Sequence, residues 1–183
     1  MEALSDNALM AKVRDGDPEK LGLLYERYKR SLLGFFIGLI REREVAEDLV
    51  QNTFMRILKY KHLFRADGDF RTWLFHIARN VKNDHYRKNK IIHENVEKWE
   101  EQIKDKTDSL ASWQSEEEHR MLALALDKLP EEKREIILLS KYQEKKYKEI
   151  GEILGCSEGT VKVKVFRALQ ELKEVYRLVE KNM

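Results

Sequence analysis

Tyr147-Lys-Glu-Ile-Gly-Glu-Ile-Leu-Gly-Cys-Ser-Glu-Gly-Thr-Val-Lys-Val-Lys-Val-Phe-Arg-Ala-Leu-Gln-Glu-Leu172 is the stretch that decides how the chain is read. A short amphipathic segment carrying Ile150, Ile153 and Leu154 runs into Gly155, a helix stop. Ser157 then supplies an N-cap for a second helix with an apolar face of Val161, Val165, Leu169 and Leu172. The opposite face carries Lys162, Lys164 and Arg167. Two helices joined by a tight turn, the second one basic, form a helix-turn-helix suited to a DNA major groove.

Outward from that motif, the 183 residues hold only 2 Pro and 8 Gly but are 37% charged and 42% hydrophobic. Few breakers and many charges on long periodic segments predict an all-α chain with heavily solvated faces. Two small helical domains, each with a modest core, fit this better than one large one. The net charge of +2 hides three blocks. Residues 1–90 carry 18 Lys+Arg against 13 Asp+Glu, residues 91–118 carry 3 against 9, and residues 119–183 carry 14 against 11. Two basic blocks around an acidic connector are compatible with two nucleic-acid contacts.

The N-terminal pattern predicts four helices. Ser5 to about Asp15 turns Leu9, Met10 and Val13 inward, and Asp17-Pro18 opens a second helix running to about Leu39. A third runs to about Tyr60 with Val45, Leu49, Val50, Phe54, Ile57 and Leu58 inward. After a loop over residues 61–69, a fourth spans about Phe70 to Lys90, with Trp73, Leu74, Ile77, Ala78 and Val81 on its core side. Phe75 lies off that stripe. Residues 89–115 read as an acidic linker with isolated Trp99 and Trp113, part of it (91–103) weakly helical. Helical spacing returns at Glu116–Leu129, and Pro130 starts a helix to about Tyr142.

Four segments in order resemble the extracytoplasmic-function (ECF) group of bacterial sigma factors: Ala46–Phe54, Phe70–Lys88, Leu129–Leu139 and Gly159–Leu169. The resemblance implies a region 2-like domain over 1–90, a flexible linker over 91–115 and a region 4-like domain over 116–183. It implies a factor that binds core RNA polymerase, opens and reads the −10 element with one domain, and reads the −35 element with the other. Asp48 and Gln51, one turn apart, would face the polymerase's coiled coil with Asn52, where the family usually has a carboxylate. The loop His62–Asp69 would hold a flipped base, with Phe64 and Asp67 at the pocket and Arg79, Asn80, Lys82, Asn83 and Arg87 along the melted strand. Thr160, Lys162, Val163, Lys164, Phe166 and Arg167 would meet the −35 duplex, through phosphates, guanine edges and a thymine methyl. The linker is either a charged tether or a segment threading the polymerase's channels.

Other classes fit less well. His93-Glu-Asn-Val-Glu97 lacks the second His of a zinc-protease helix, and there is no phosphate-binding glycine loop or nucleophile motif, so neither enzyme activity nor a cofactor or metal is expected. A stand-alone DNA-binding regulator accounts for the helix-turn-helix but not for the N-terminal segments, and a bundle that only binds proteins leaves the basic helix unexplained. Cys156 is the only cysteine, placed in the turn as a packing residue. No run reaches the ~18 apolar residues of a membrane span, and no signal-peptide pattern opens the chain. A cytoplasmic monomer is expected, with an anti-sigma factor as a further possible partner.

Overall fold

The computed structural model describes residues 4–65, 67–93 and 113–181, and among these every regular element is helical. Residues 94–112 of the acidic linker, with Trp99 and most of the weak helix expected near 91–103, lie outside the described residues, while 91–93 continue α4 and Trp113, expected in the linker, starts α5. The N-terminal domain comprises α1 (Asp6–Arg14), α2 (Lys20–Ile40), α3 (Arg43–Lys59), a 3₁₀ turn (Lys61–Leu63) and α4 (Phe70–His93). The C-terminal domain comprises α5 (Trp113–Asp127), α6 (Glu131–Ile137) continued by a π-helical turn (Leu138–Tyr142), α7 (Tyr147–Leu154) and α8 (Glu158–Lys181).

Local signals set the helix ends. Ser5 Oγ accepts from the Ala8 amide at 3.2 Å, and Ser157 Oγ accepts from that of Thr160 at 3.2 Å, as N-caps do. Gly155 closes α7 in the left-handed region at φ 71°. Arg41 closes α2 in the same region at φ 66°, and its guanidinium pairs with Asp127 of α5.

In the N-terminal domain α2 packs on α1 and α3, and α4 on α3. Leu24, Leu32, Phe35, Phe36, Ile57, Phe70, Leu74 and Phe75 are sealed between them. Phe75 meets Phe35 edge-on, with ring centroids 5.4 Å apart. This corrects the sequence reading: Phe75 is core, whereas Trp73 is only half-buried, and Leu58 is exposed. In the C-terminal domain α5, α6 and α7 all pack on α8. α7 reaches α8 closely because Gly151 has no side chain: a Cβ there would lie 2.6 Å from the Cys156 carbonyl oxygen.

The two domains do not have separate cores. α7 lies along α4, and α6 with its π-helical turn lies against α2, so the buried apolar side chains of both domains form one continuous cluster. A Cβ at Gly38 of α2 would come within 2.9 Å of Leu138. Around this contact Ser31 pairs with Gln143, Arg71 donates to the Gln143 carbonyl at 2.6 Å, and Arg134 donates to the Leu39 carbonyl at 3.4 Å.

The tightest of these approaches is testable. Gly151→Ala forces a backbone shift in the helix-turn-helix, and thermal unfolding should show a loss of about 1–3 kcal/mol.

Candidate functional sites

Three surfaces carry the residues singled out by sequence. On the outer side of α3, Asp48, Gln51 and Asn52 are exposed, and Met55 one turn on is 67% exposed. Gln51 rims a cleft of about 260 Å³ between α2 and α3, with Tyr25, Lys29, Arg30 and Glu47. Polar acceptors and amides beside an exposed methionine suit another protein's helix rather than a small substrate. Met55 escaped the sequence reading because it falls outside the apolar stripe that burial selects.

A second cleft, about 300 Å³, opens where the 61–69 loop enters α4. Leu63, Phe64, Trp73, His76, Asp69 and Glu152 are among its lining residues, with Arg65, Gly68 and Thr72. Phe64 is buried, stacked at a tilt on Trp73 with centroids 5.4 Å apart, so Trp73 presents the more accessible ring. An aromatic wall beside hydrogen-bonding groups is what an unpaired base requires. Asp67 is exposed, ion-paired with Arg65 at 3.0 Å, and does not line this cleft.

Asn7 and Asp69 hold the loop. Asn7 donates to the Gly68 carbonyl at 2.7 Å and accepts from the Phe70 amide at 2.8 Å. Asp69 accepts from the Thr72 amide at 2.7 Å and from its hydroxyl at 2.8 Å, capping α4. Although partial burial opposes it, bonding to Thr72 and Lys145 holds the Asp69 carboxyl below its usual range. The Asp69-x-x-Thr72 spacing was a legible cap signal, whereas nothing local marks Asn7, 61 residues from its partner.

Along α4 the cations expected to face a nucleic-acid strand divide. Asn80 is exposed, with its amide 3.5 Å from His76 Nδ1. Asn83 and Arg87 are also exposed, the latter paired with Asp84 at 2.7 Å. Lys82 is only 2% exposed, with Nζ 2.7 Å from Glu131 and 2.9 Å from Glu135 of α6. Arg79 is half-buried and pairs with Glu135 at 3.4 Å. These two cations therefore lie in the contact between the domains and not on an open face.

The third surface is α8. Lys162, Val163, Phe166 and Arg167 share an exposed face, Val163 at 48% and Phe166 at 63%, while Val161, Val165 and Ala168 are buried behind it. Thr160 stands exposed at its N-terminal end, its hydroxyl 2.9 Å from that of Ser157. Lys164 turns aside and pairs with Glu132 of α6. A protruding helix with cations and apolar tips on one face fits a DNA major groove.

Comparison with known proteins supplies independent findings. Residues 24–91 match the family model of sigma-70 region 2, and residues 119–172 that of sigma-70 region 4. The chain is 30% identical to the ECF RNA polymerase sigma factor SigX of Bacillus subtilis, over 90% of this chain and 88% of that protein. It is 31% identical to SigM of Bacillus subtilis, over 84% and 93%. It is 34% identical to EcfG of Rhodopseudomonas palustris, over 78% and 77%. Among solved structures, CnrH in complex with the cytosolic domain of CnrY shares the fold, with a TM-score of 0.72 at 24% identity over 94% of this chain and 97% of that one. The sigma factor RpoE of Bartonella quintana, in complex with the anti-sigma factor NepR, gives 0.66 at 28% identity over 87% and 96%.

The capping geometry yields a prediction. Asp69→Ala removes the α4 cap and should lower stability by about 0.5–2 kcal/mol in denaturant unfolding. With its folded value lowered, the Asp69 contribution is complete above its ordinary value of 3.8 and is lost as pH falls through the lowered range. The gap between wild type and variant should therefore narrow in acid.

Proposed function

The chain belongs to the extracytoplasmic-function sigma factors of the sigma-70 family, and we propose a division of labour among its three surfaces. It is a sigma factor that binds core RNA polymerase and directs promoter-specific transcription initiation, and anti-sigma factors are among its partners. The observation that carries this reading is the pair of sigma-70 region matches, in order on one chain, each falling on a domain with a suitable surface. As an initiation factor it does no covalent chemistry. The sequence-based limits of about 1–90 and 116–183 widen toward the linker in this reading, because α4 runs to His93 and α5 starts at Trp113.

In this reading Asp48, Gln51 and Asn52 meet the polymerase, as charged and amide acceptors for a partner helix. Met55 adds apolar contact to the same face. The cleft at Phe64 and Trp73 receives an unpaired −10 base, and Asn80, Asn83 and Arg87 follow its backbone, joined by Arg79 and Lys82 once α6 has withdrawn. On α8, Lys162 and Arg167 take guanine edges or phosphates, Phe166 and Val163 take thymine methyls, and Thr160 takes a phosphate at the helix start. Lys164 is further from this role because Glu132 holds it. Base capture and polymerase contacts offset the unstacking of the promoter, so neither DNA surface needs high affinity by itself.

Among the described residues no helix is long and apolar enough to cross a membrane; polymerase and promoter DNA as partners place its action in the cytoplasm in this reading. Reconstitution with core polymerase on genomic DNA, followed by mapping of transcript starts, tests the whole reading. Promoter-specific initiation is expected, and its absence overturns the reading.

Two variants test the parts. Asp48→Ala with Gln51→Ala should weaken polymerase binding while leaving the melting curve unchanged, because both side chains are exposed. Arg167→Ala should cost about 1–3 kcal/mol on −35 sequences and relax selectivity there. A uniform loss on all DNA would make Arg167 a phosphate contact.

A further inference from the structure

Asn7 brackets the residue that opens α4. Its side-chain amide donates to the Gly68 carbonyl at 2.7 Å and accepts from the Phe70 amide at 2.8 Å, so one planar group holds the backbone on both sides of Asp69. Asp69 itself turns to Thr72, accepting from its amide and its hydroxyl. The two side chains thus satisfy two of the orphan amides at the start of α4, one from the loop and one from 63 positions away. Gly68 also donates to the Arg65 carbonyl at 3.0 Å, a bond local to the turn.

α1 gives Asn7 a firm footing. Leu9, Met10 and Val13 are wholly buried, and the helix packs against α2, the 3₁₀ turn and α4. In its first turn Asp6 pairs with Arg27 at 2.5 Å and accepts from the Tyr28 hydroxyl, while Arg27 donates to the Leu4 carbonyl at 3.0 Å. Tyr28 continues toward the cleft. Its ring meets Phe70 edge-on with centroids 5.6 Å apart, Phe70 lies 6.1 Å from Phe64, and Phe64 stacks on Trp73. α1 therefore reaches the cleft by two routes, one through the backbone of residues 68–70 and one through a run of aromatic rings.

Gly68 and Asp69 line that cleft with Phe64 and Trp73, whereas Asn7 stands behind it. Stacking tolerates any base, but telling one base from another needs the polar groups fixed to within about half an ångström. We propose that Asn7 is a positioning residue for base selection. It fixes Gly68 and Asp69 against the aromatic wall, so that the cleft discriminates among unpaired bases as well as stacking them. α1 carries none of the four segments on which the sigma-factor resemblance rests, so this role falls to a helix outside them. The inference rests on the reading of the cleft as the −10 base site.

The test uses holoenzyme reconstituted with bacterial core RNA polymerase, on a promoter taken from the mapped transcript starts and remade with every base at each −10 position. Initiation rates then give a best-to-worst ratio for each position. In wild type one position should show a ratio of about fivefold or more, and Trp73→Ala should flatten it, which marks the captured base. Asn7→Ala, which removes both bonds, should flatten the same ratio while those at −35 positions stay as in wild type. Asn7→Asp keeps an acceptor for Phe70 at a helix N-terminus, where negative charge is favourable, but loses the donor to Gly68. It should melt with wild type and still lose the selectivity.

Selectivity retained at that position in both Asn7 variants overturns the proposal. So does an equal fall in rate on every template with all ratios kept, which is what a purely structural Asn7 would give. If Trp73→Ala flattens no −10 position, the reading of the cleft itself falls, and the inference with it.

Discussion

A lysine ammonium taken out of water must find anions or be neutralised, and this chain takes two of them out of water across one contact. Lys82 depends on Glu131 and Glu135, and Lys145 on Asp69 and Glu149. Burial pushes the Lys145 ammonium below its ordinary range, while its acidic neighbours pull the other way. Removing both carboxylates from either lysine while the contact stays shut leaves a stranded ammonium, at about 3–5 kcal/mol. Removing the contact altogether leaves every charge hydrated.

That constraint orders the rest of the molecule. The polar bridges Ser31–Gln143, Arg71–Gln143 and Arg41–Asp127 surround the apolar meeting of Gly38 and Leu138, fixing how α6 and its π-helical turn sit on α2. The α3 face of Asp48, Gln51 and Met55 and the α8 face of Lys162, Phe166 and Arg167 stay outside this contact, exposed. The α4 cations do not.

Much of the framework that carries the candidate surfaces was legible because it obeys local rules. Ser157, Gly155 and the period of Val161, Val165 and Ala168 define α8 whatever packs behind it. Exposed positions such as Asp48, Gln51, Phe166 and Arg167 follow from the same helical geometry. The reading of α4 was less complete. Phe75 and Trp73 are two residues apart, and with partners on both α2 and α7 the helix has a buried sector too wide for a single stripe to describe. Lys82 read as a DNA cation because nothing near it in sequence is acidic except Asp84, which pairs elsewhere.

Although α2 starts at Lys20 and not at the Asp17-Pro18 pair expected to open it, by itself the sequence determined the helices, the cap at Ser157, the turn at Gly155 and the family to which they belong. Those depend on residues within a turn or two of one another, and periodicity records them directly. Only the tertiary structure decided that Lys82 meets carboxylates 49 and 53 positions away, that Asn7 pins a loop 61 positions on, and that the two cores are continuous. Charge pairing over such separations leaves no periodic trace. It is fixed by the shapes that α4, α6 and α7 present to each other, and it covers a cationic face of α4.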